Sequence, residues 1–441
     1  MSKQDKKELR QQIACEWLEN NYLNYGSLRH DIVTDRLQIK DYKPTPDPFL
    51  EGREEGEEAK RRLGERQEVW RNLTDKDINT MVCNCVAEAE VNISVTEMWT
   101  ALKSDMVPSV HPIRAWLEGL KPYTPDQPDW IDWLAQQVKV EPSGDKARGD
   151  KARGEEFWRM CFKKWFVAMV ASWMKDELVN HTALVLVGRQ GIYKTTWLEH
   201  LMPPELRAYS SKLPLSGQIT KDDRLRLCEN GLLNIDELDA IFGREMNIVK
   251  SLLTSTDVNE RAAYGRLKER RMRLASFCAS TNRREFLTDI TGNRRWLPFE
   301  VESIQNPFYT TLPYELMYAQ AVYLAEHDFN YWFDTEEINM LEEHNEEFRS
   351  QESEEQLLPI LFDLPAEGKG EFMTTAQISE RLVSFGGIKK PMASTRLGIL
   401  LSKSGYQSVR RTIDTVKVRG WIVYQRTFEE VLAMKRTLLN D

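Results

Sequence analysis

Apolar positions recur along this chain in two alternating periods. Near the amino end Ile13, Trp17, Leu18 and Tyr22 follow helical spacing, and Ile32 to Ile39 reads as a short β-like stretch. Trp70 to Leu120 reads as a small helical unit. Its first helix starts in the segment LTDKDIN, and DMVPSVHPIRAWLEGL turns the chain before another. Trp158, Phe162, Trp165, Phe166, Met169 and Trp173 set an aromatic stripe on an amphipathic helix predicted over 157–179, where core packing is the favoured role. From Ala183 to Val301 strands and helices alternate. That order builds a parallel sheet whose ligand site lies at the carboxyl ends of its strands.

Beyond Pro307 the pattern is helical to about Leu364 and carries acidic runs at Glu342, Glu343, Glu346, Glu347 and Glu352 to Glu355. Gly368 to Gly370 marks a boundary. The remainder reads as a capped helix, a second helix ended by glycine and two β-strands, a succession that suggests a winged helix. Two segments read as exposed connections: the acidic, proline-containing spacer from Lys43 to about Arg62, and Ser143 to Glu156, which lacks apolar content. In the second, GDKAR occurs twice in tandem, and a flexible loop is expected. The expected division is therefore an N-terminal region with linker (1–62), a helical domain ending in a flexible loop (63–156), the sheet domain (157–306), a helical segment (307–367) and a winged-helix-like domain (368–441).

Composition narrows the class. The 441 residues are 41% hydrophobic and 29% charged, which fits a soluble protein of several domains. No stretch of eighteen uncharged apolar residues occurs and the first dozen residues are too polar for a signal peptide, so the cytoplasm is the simplest location. Six scattered cysteines lack C-x₂-C spacing and read as reduced core residues. The net charge of −9 argues against general coating of nucleic acid, yet basic residues cluster locally.

Leu184 to Thr196 carries the sharpest chemistry. An apolar run opens into a turn containing Gly188 and Gly191 and closes on Lys194-Thr195-Thr196, the layout of a phosphate-binding loop. The glycines let backbone N–H groups close around phosphate oxygens, and a helix starting near Lys194 would point its positive dipole end at them. Lys194 would reach the β and γ phosphates of ATP, and Thr195 would give a hydroxyl to phosphate-bound Mg²⁺. Tyr193 stands where the general pattern has glycine.

Downstream, Gly231 to Leu238 leads an apolar run into Asp236 and Glu237, placed to support Mg²⁺ and to activate water. After the apolar strand Leu274 to Ala279, Asn282 is the candidate sensor of the γ-phosphate. Arg294 and Arg295 are candidates to stabilise charge on the transferring phosphoryl group, in ring ATPases commonly from a neighbouring subunit. Between Asp257 and Phe277 six basic residues, Arg266, Lys268, Arg270 and Arg271 among them, face only three acids. Lys389 to Arg426 holds nine basic residues, including Arg410 and Arg411, against Asp414 alone, an asymmetry that suggests a DNA-phosphate surface.

The series GRQGIYKTT, NIDEL, RAAYGR, CASTNRREFL and TGNRRWLPFEV resembles the virulence-associated E (VapE-like) family over roughly Trp70 to Val301. The ATPase domain of that family is similar to superfamily 3 helicases. The resemblance implies an α/β P-loop NTPase core (AAA+/superfamily 3 helicase-like) with a helical N-terminal region and a C-terminal winged-helix-like domain. It implies Lys194 and Thr195 at the phosphates and Mg²⁺, Asp236 and Glu237 as the acidic pair, Asn282 as sensor, and Arg294 and Arg295 as the family's paired arginines. The basic segment Arg261 to Arg273 takes the place of a hairpin that grips single-stranded DNA in a central channel. The expected function is an ATP-dependent, hexameric DNA translocase or helicase in replication of a mobile genetic element, with a primase as candidate partner. The competing expectation is a nucleotide-controlled DNA-binding protein, an initiator or defence sensor, without unwinding activity.

Overall fold

The computed structural model describes residues 2–41, 69–142, 151–214, 219–235, 238, 244–260, 269–289, 292–350, 353–366, 370–389, 391–413 and 415–438. Two compact units divide the chain: Met1–Arg283 with Arg295–Asn339, and Arg284–Arg294 with Met340–Asp441. Among the described residues no helix is long and apolar enough to cross a membrane.

In the first unit the amino-terminal residues build a four-stranded sheet of order β3-β2-β1-β4, from β1 (Leu28–Asp31), β2 (Arg36–Asp41), β3 (Val69–Asn72) and β4 (Ser109–Val110). The β-like stretch expected over Ile32 to Ile39 is a turn followed by a strand. Asp31 is the cause: its carboxylate accepts the Val33 N–H at 2.9 Å and the Thr34 hydroxyl at 2.6 Å, and Asp35 turns the chain at φ +55°. Helices Lys3–Leu18, Asp75–Ala89 and Val95–Leu102 bury Ala14, Leu18, Ile78, Met81 and Met98 in one cluster. Each begins with a capping box, at Ser2/Asp5, Thr74/Asp77 and Ser94/Glu97. Because β2 and β3 pair, the boundary expected at residue 62 separates two neighbours of one sheet.

The aromatic helix runs Lys151–Met174, so it starts inside the second GDKAR copy, earlier than expected; residues 143–150 lie outside the described residues. It is buried around its circumference rather than amphipathic, with Trp158, Phe162, Trp165, Phe166 and Trp173 at most 1% exposed. Its indoles also meet backbone acceptors. Trp158 donates to the Ala135 carbonyl at 3.0 Å, Trp165 to Phe277 at 3.2 Å and Trp173 to Gly231 at 3.1 Å. A Cβ at Gly231 would stand 2.9 Å from the Trp173 ring, which is why that position carries glycine.

That helix covers a six-stranded sheet of order β5-β12-β6-β11-β8-β7. Its strands are β5 (Val138–Val140), β6 (Ala183–Val187), β7 (Ser210–Lys212), β8 (Leu232–Ile235), β11 (Ser276–Thr281) and β12 (Trp296–Ile304). All neighbours are parallel except the edge pair β5–β12. β6 and β11 are buried at every position, β6 as a continuous apolar run and β11 with Ser276, Ser280 and Thr281 among its buried residues. A separate antiparallel pair, β9 (Asp257–Glu260) and β10 (Glu269–Met272), flanks residues 261–268, which lie outside the described residues.

The second unit holds the expected helix, helix and strand pair in order, preceded by two short strands that the sequence reading did not predict. Helix Ser353–Leu361 leads to β13 (Phe362–Asp363), β14 (Glu371–Thr374), helix Thr375–Gly386, helix Ser394–Lys403, and the antiparallel pair β15 (Gln407–Ile413) and β16 (Val416–Gln425). Thr374 caps the first helix after β14 in a capping box with Gln377. Leu358, Ile378, Leu382, Leu397, Leu401, Trp421 and Val423 form the core.

Candidate functional site

Parallel strands leave their carboxyl ends at one edge, and the loops that follow β6 and β11 meet there. Gly188 leaves β6 at φ +152°, donating its N–H to the Thr281 carbonyl at 3.1 Å; a Cβ there would stand 3.0 Å from the Val301 carbonyl oxygen of β12. Gly191 turns the loop at φ +85°, where a Cβ would meet open space. Helix Lys194–Glu199 follows.

Lys194 is 7% exposed, and its ammonium donates to the carbonyls of Gly188 and Arg189, both at 2.7 Å, and to Asn282 Oδ1 at 3.0 Å. The Thr195 hydroxyl lies 2.8 Å from the Ser280 hydroxyl. The carbonyl of Thr196 meets His200 Nδ1 at 2.7 Å. Asn282 follows the end of β11, where the Thr281 hydroxyl accepts the Arg283 N–H at 3.1 Å and so fixes the turn. Five candidates, Gly188, Gly191, Lys194, Thr195 and Asn282, therefore converge at one edge. Ser280 joins them although the sequence reading did not select it; its place as a polar residue late in a buried strand was the available signal.

Asp236 and Glu237 lie outside the described residues, directly after β8, whose Ile235 pairs with Ala279 of β11. Arg295 is elsewhere. It precedes Trp296, which pairs with Ala183 at the start of β6, so it stands at the amino edge of the sheet, near the partly buried His181 imidazole that burial, then the charge of Arg273 and, least, that of Arg295 keep below its ordinary range. Five residues of β6 separate that edge from Gly188, about 16 Å of strand. Arg294 is exposed. Arg295 does not join the lysine cluster of its own chain, and the order of residues shows why: Asn282 follows a parallel strand whereas Arg295 precedes one.

The basic candidates differ in what they touch. Arg266 and Lys268 lie outside the described residues. The Arg270 side chain is 70% exposed and paired with Asp257. Arg271 points inward: it donates to the Val33 carbonyl and to Glu229 at 3.4 Å, and its side chain is only 16% exposed, which removes it from any open surface. Arg273, 2% exposed, spans the carbonyls of Leu252 and Asn180.

Arg410 and Arg411 are both exposed, on opposite faces of the β15–β16 pair. Arg411 stacks over the Phe372 ring at 5.1 Å. Arg410 stands directly across from Arg419, with Lys417 two residues further along the same face. Strand alternation was the signal that could have paired Arg410 with Arg419.

The Virulence-associated protein E-like domain matches residues 151–350. No curated protein matches the chain. Among solved structures, one titled as the apo structure of the NrS-1 C terminal region (305-718) aligns with 11% identity and a TM-score of 0.44, covering 91% of this chain and 97% of that one. A form titled as the A form apo structure of the same region, also 305-718, aligns with 11% identity and a TM-score of 0.45, covering 92% and 99%.

Proposed function

We propose that the chain is an ATP-driven, hexameric DNA translocase or helicase that serves replication of a mobile genetic element, with a P-loop NTPase core and a winged-helix-like DNA-binding domain. The observation that carries this reading is the cluster of Lys194, Thr195, Ser280 and Asn282 at the carboxyl edge of a parallel sheet, joined by side-chain hydrogen bonds of 2.8 and 3.0 Å. A nearly buried ammonium is costly unless oxygens surround it, and phosphate oxygens are stronger acceptors than the loop carbonyls that hold it here.

Thr195 and Asp236 supply oxygen ligands of the type that Mg²⁺ takes, and the ion, when bound, neutralises phosphate charge. Glu237 activates the attacking water and Asn282 orients it. Arg294 or Arg295 completes the site of a neighbouring subunit; the position of Arg295 at the opposite edge supports a role across an interface over one within its own chain. Lys268 and Arg270 grip single-stranded DNA, while the face carrying Arg410 holds DNA phosphates. A primase is the partner this role calls for.

Steady-state ATP hydrolysis with and without single-stranded DNA, on wild type and Glu237→Gln, tests the reading. DNA-stimulated turnover that the mutant loses supports it, and directional strand displacement completes it. Hydrolysis absent in wild type, or unchanged in Lys194→Ala, refutes it.

Tyr193 favours a second reading, a nucleotide-controlled DNA-binding protein in which ATP closes a ring without unwinding. A side chain occupies the left-handed turn before Lys194, at φ +67°, where the general loop has glycine. ATP-dependent DNA binding with no unwinding would select this alternative.

A further inference from the structure

We infer that Tyr193 and Phe308 form a wall on which the base of the bound nucleoside triphosphate stacks, purines held ahead of pyrimidines by their larger ring area. The inference rests on the nucleotide reading above and assigns a role to the residue that departs from the general loop.

Tyr193 adopts φ +67° and ψ +17°, a conformation that residues with a Cβ resist, so its side chain is kept at a position where glycine would be relaxed. The ring is not buried for packing: Tyr193 is 38% exposed and Phe308 39%. The two rings meet edge to face, centroids 6.3 Å apart at 81°. Phe308 also meets His200 edge to face, at 5.9 Å and 88°, whose imidazole is itself anchored on the Thr196 carbonyl.

Asn306 locks the corner. Its Oδ1 accepts the Phe308 N–H at 3.0 Å while its Nδ2 reaches the Tyr193 hydroxyl at 3.5 Å. These residues follow the carboxyl end of β12, which lies beside β6, so the wall adjoins the loop that carries Lys194. A triphosphate held at Lys194 would extend its nucleoside to a neighbouring surface, and two exposed rings of fixed orientation stand next to it. Aromatic stacking accepts any base, because every base has a π face.

The test compares dissociation constants for Mg-ATP and for Mg-tripolyphosphate, which lacks a nucleoside, by calorimetry on the full chain. Tyr193→Gly and Phe308→Ala are each expected to weaken ATP by about tenfold, the usual loss of one stacking partner, and to leave tripolyphosphate within about twofold. Tyr193→Phe should keep both affinities, and CTP should bind wild type more weakly than ATP. Equal loss of ATP and tripolyphosphate in Phe308→Ala, or no loss of either, overturns the stacking role. A wild type that binds ATP no better than tripolyphosphate overturns it too, while leaving the phosphate site standing. A wild type that binds neither refutes the nucleotide reading itself.

Discussion

The hydroxyls of Thr195 and Ser280 lie 2.8 Å apart across 85 residues of chain. Parallel register explains it: Ser280 pairs with Leu186, one position before the end of β6, so its side chain reaches the first turn of helix Lys194–Glu199. The contact orients the hydroxyl proposed to meet Mg²⁺. Ser280→Ala should therefore raise the Mg²⁺ concentration for half-maximal ATP hydrolysis about fivefold, the worth of one hydrogen bond, with little change in the maximal rate. A magnesium titration at saturating ATP checks this, and an unchanged requirement would detach Ser280 from the site.

Asn282 accepts from the Lys194 ammonium alongside the Gly188 and Arg189 carbonyls. Removing a group that acts on the reacting phosphate costs about a hundredfold or more in turnover. Asn282→Ala and Lys194→Ala should both fall by that much in kcat. Asn282→Ala is expected to keep its KM for ATP within about threefold, since two carbonyls still place the lysine. A large rise in KM would instead assign Asn282 to binding.

Neighbouring arginines of β10 should behave differently. Arg271 joins Glu229 and the Val33 carbonyl in a partly buried setting, where burial holds the Glu229 carboxyl above its ordinary range and Arg271 offsets only part of that rise. Arg271→Ala should cost about 1–3 kcal/mol of stability and several degrees of Tm. Arg270→Ala, on an exposed side chain, should leave Tm within a degree or so and reduce DNA stimulation of hydrolysis. Melting curves and DNA-stimulated rates separate the two, and identical outcomes would defeat the assignment.

Like charges directly opposite on a sheet are unfavourable by about 0.2–1 kcal/mol, and Arg410 faces Arg419 in that way. Arg419→Thr should slightly stabilise the second unit while weakening DNA binding and lowering the slope of log affinity against log salt by about one. Arg411→Ala, on the other face over Phe372, should change that slope less. Fluorescence anisotropy at several salt concentrations measures both; equal slopes for both variants would reject a face-specific role.

His111 caps helix Pro112–Glu118 through its Nδ1, which accepts the Arg114 N–H at 3.3 Å. Burial, aided by Arg114, holds the imidazole down at about 4, while Asp31 and Asp176 pull weakly upward. An unfolded histidine titrates near ~6.5, so as pH falls the unfolded chain takes the proton first. The stabilisation is complete above about 6.5 and is lost as pH drops towards 4. The fall in Tm between pH 7 and 5 should shrink in His111→Asn, which retains a capping acceptor. An undiminished fall would place the acid sensitivity elsewhere.

Local chemistry made much of the architecture legible. The loop after β6, the capped helices at Thr74 and Thr374 and the β15–β16 pair follow from apolar runs, caps and glycines adjacent in sequence. Pairing of β2 with β3 was not legible, because a long acidic segment separates them and neither strand alternates clearly. The inward turn of Arg271 was hidden for a similar reason: Val33 and Glu229, its partners, come from distant segments. Arg295 is the instructive case. Its position before a parallel strand already assigned it to the edge opposite Lys194, and only the register of β12 against β6 makes that plain.

The contact between Trp173 and Gly231 makes two positions a single heritable choice. Any larger residue at 231 would strike the indole at about its present place, and a smaller residue at 173 would leave a void over β8 and the Gly231 carbonyl without the indole donor it has beside the Ser276 N–H. Related chains should therefore change these positions together or not at all. In a double-mutant cycle the pair Gly231→Ala and Trp173→Phe should cost less than the sum of its parts.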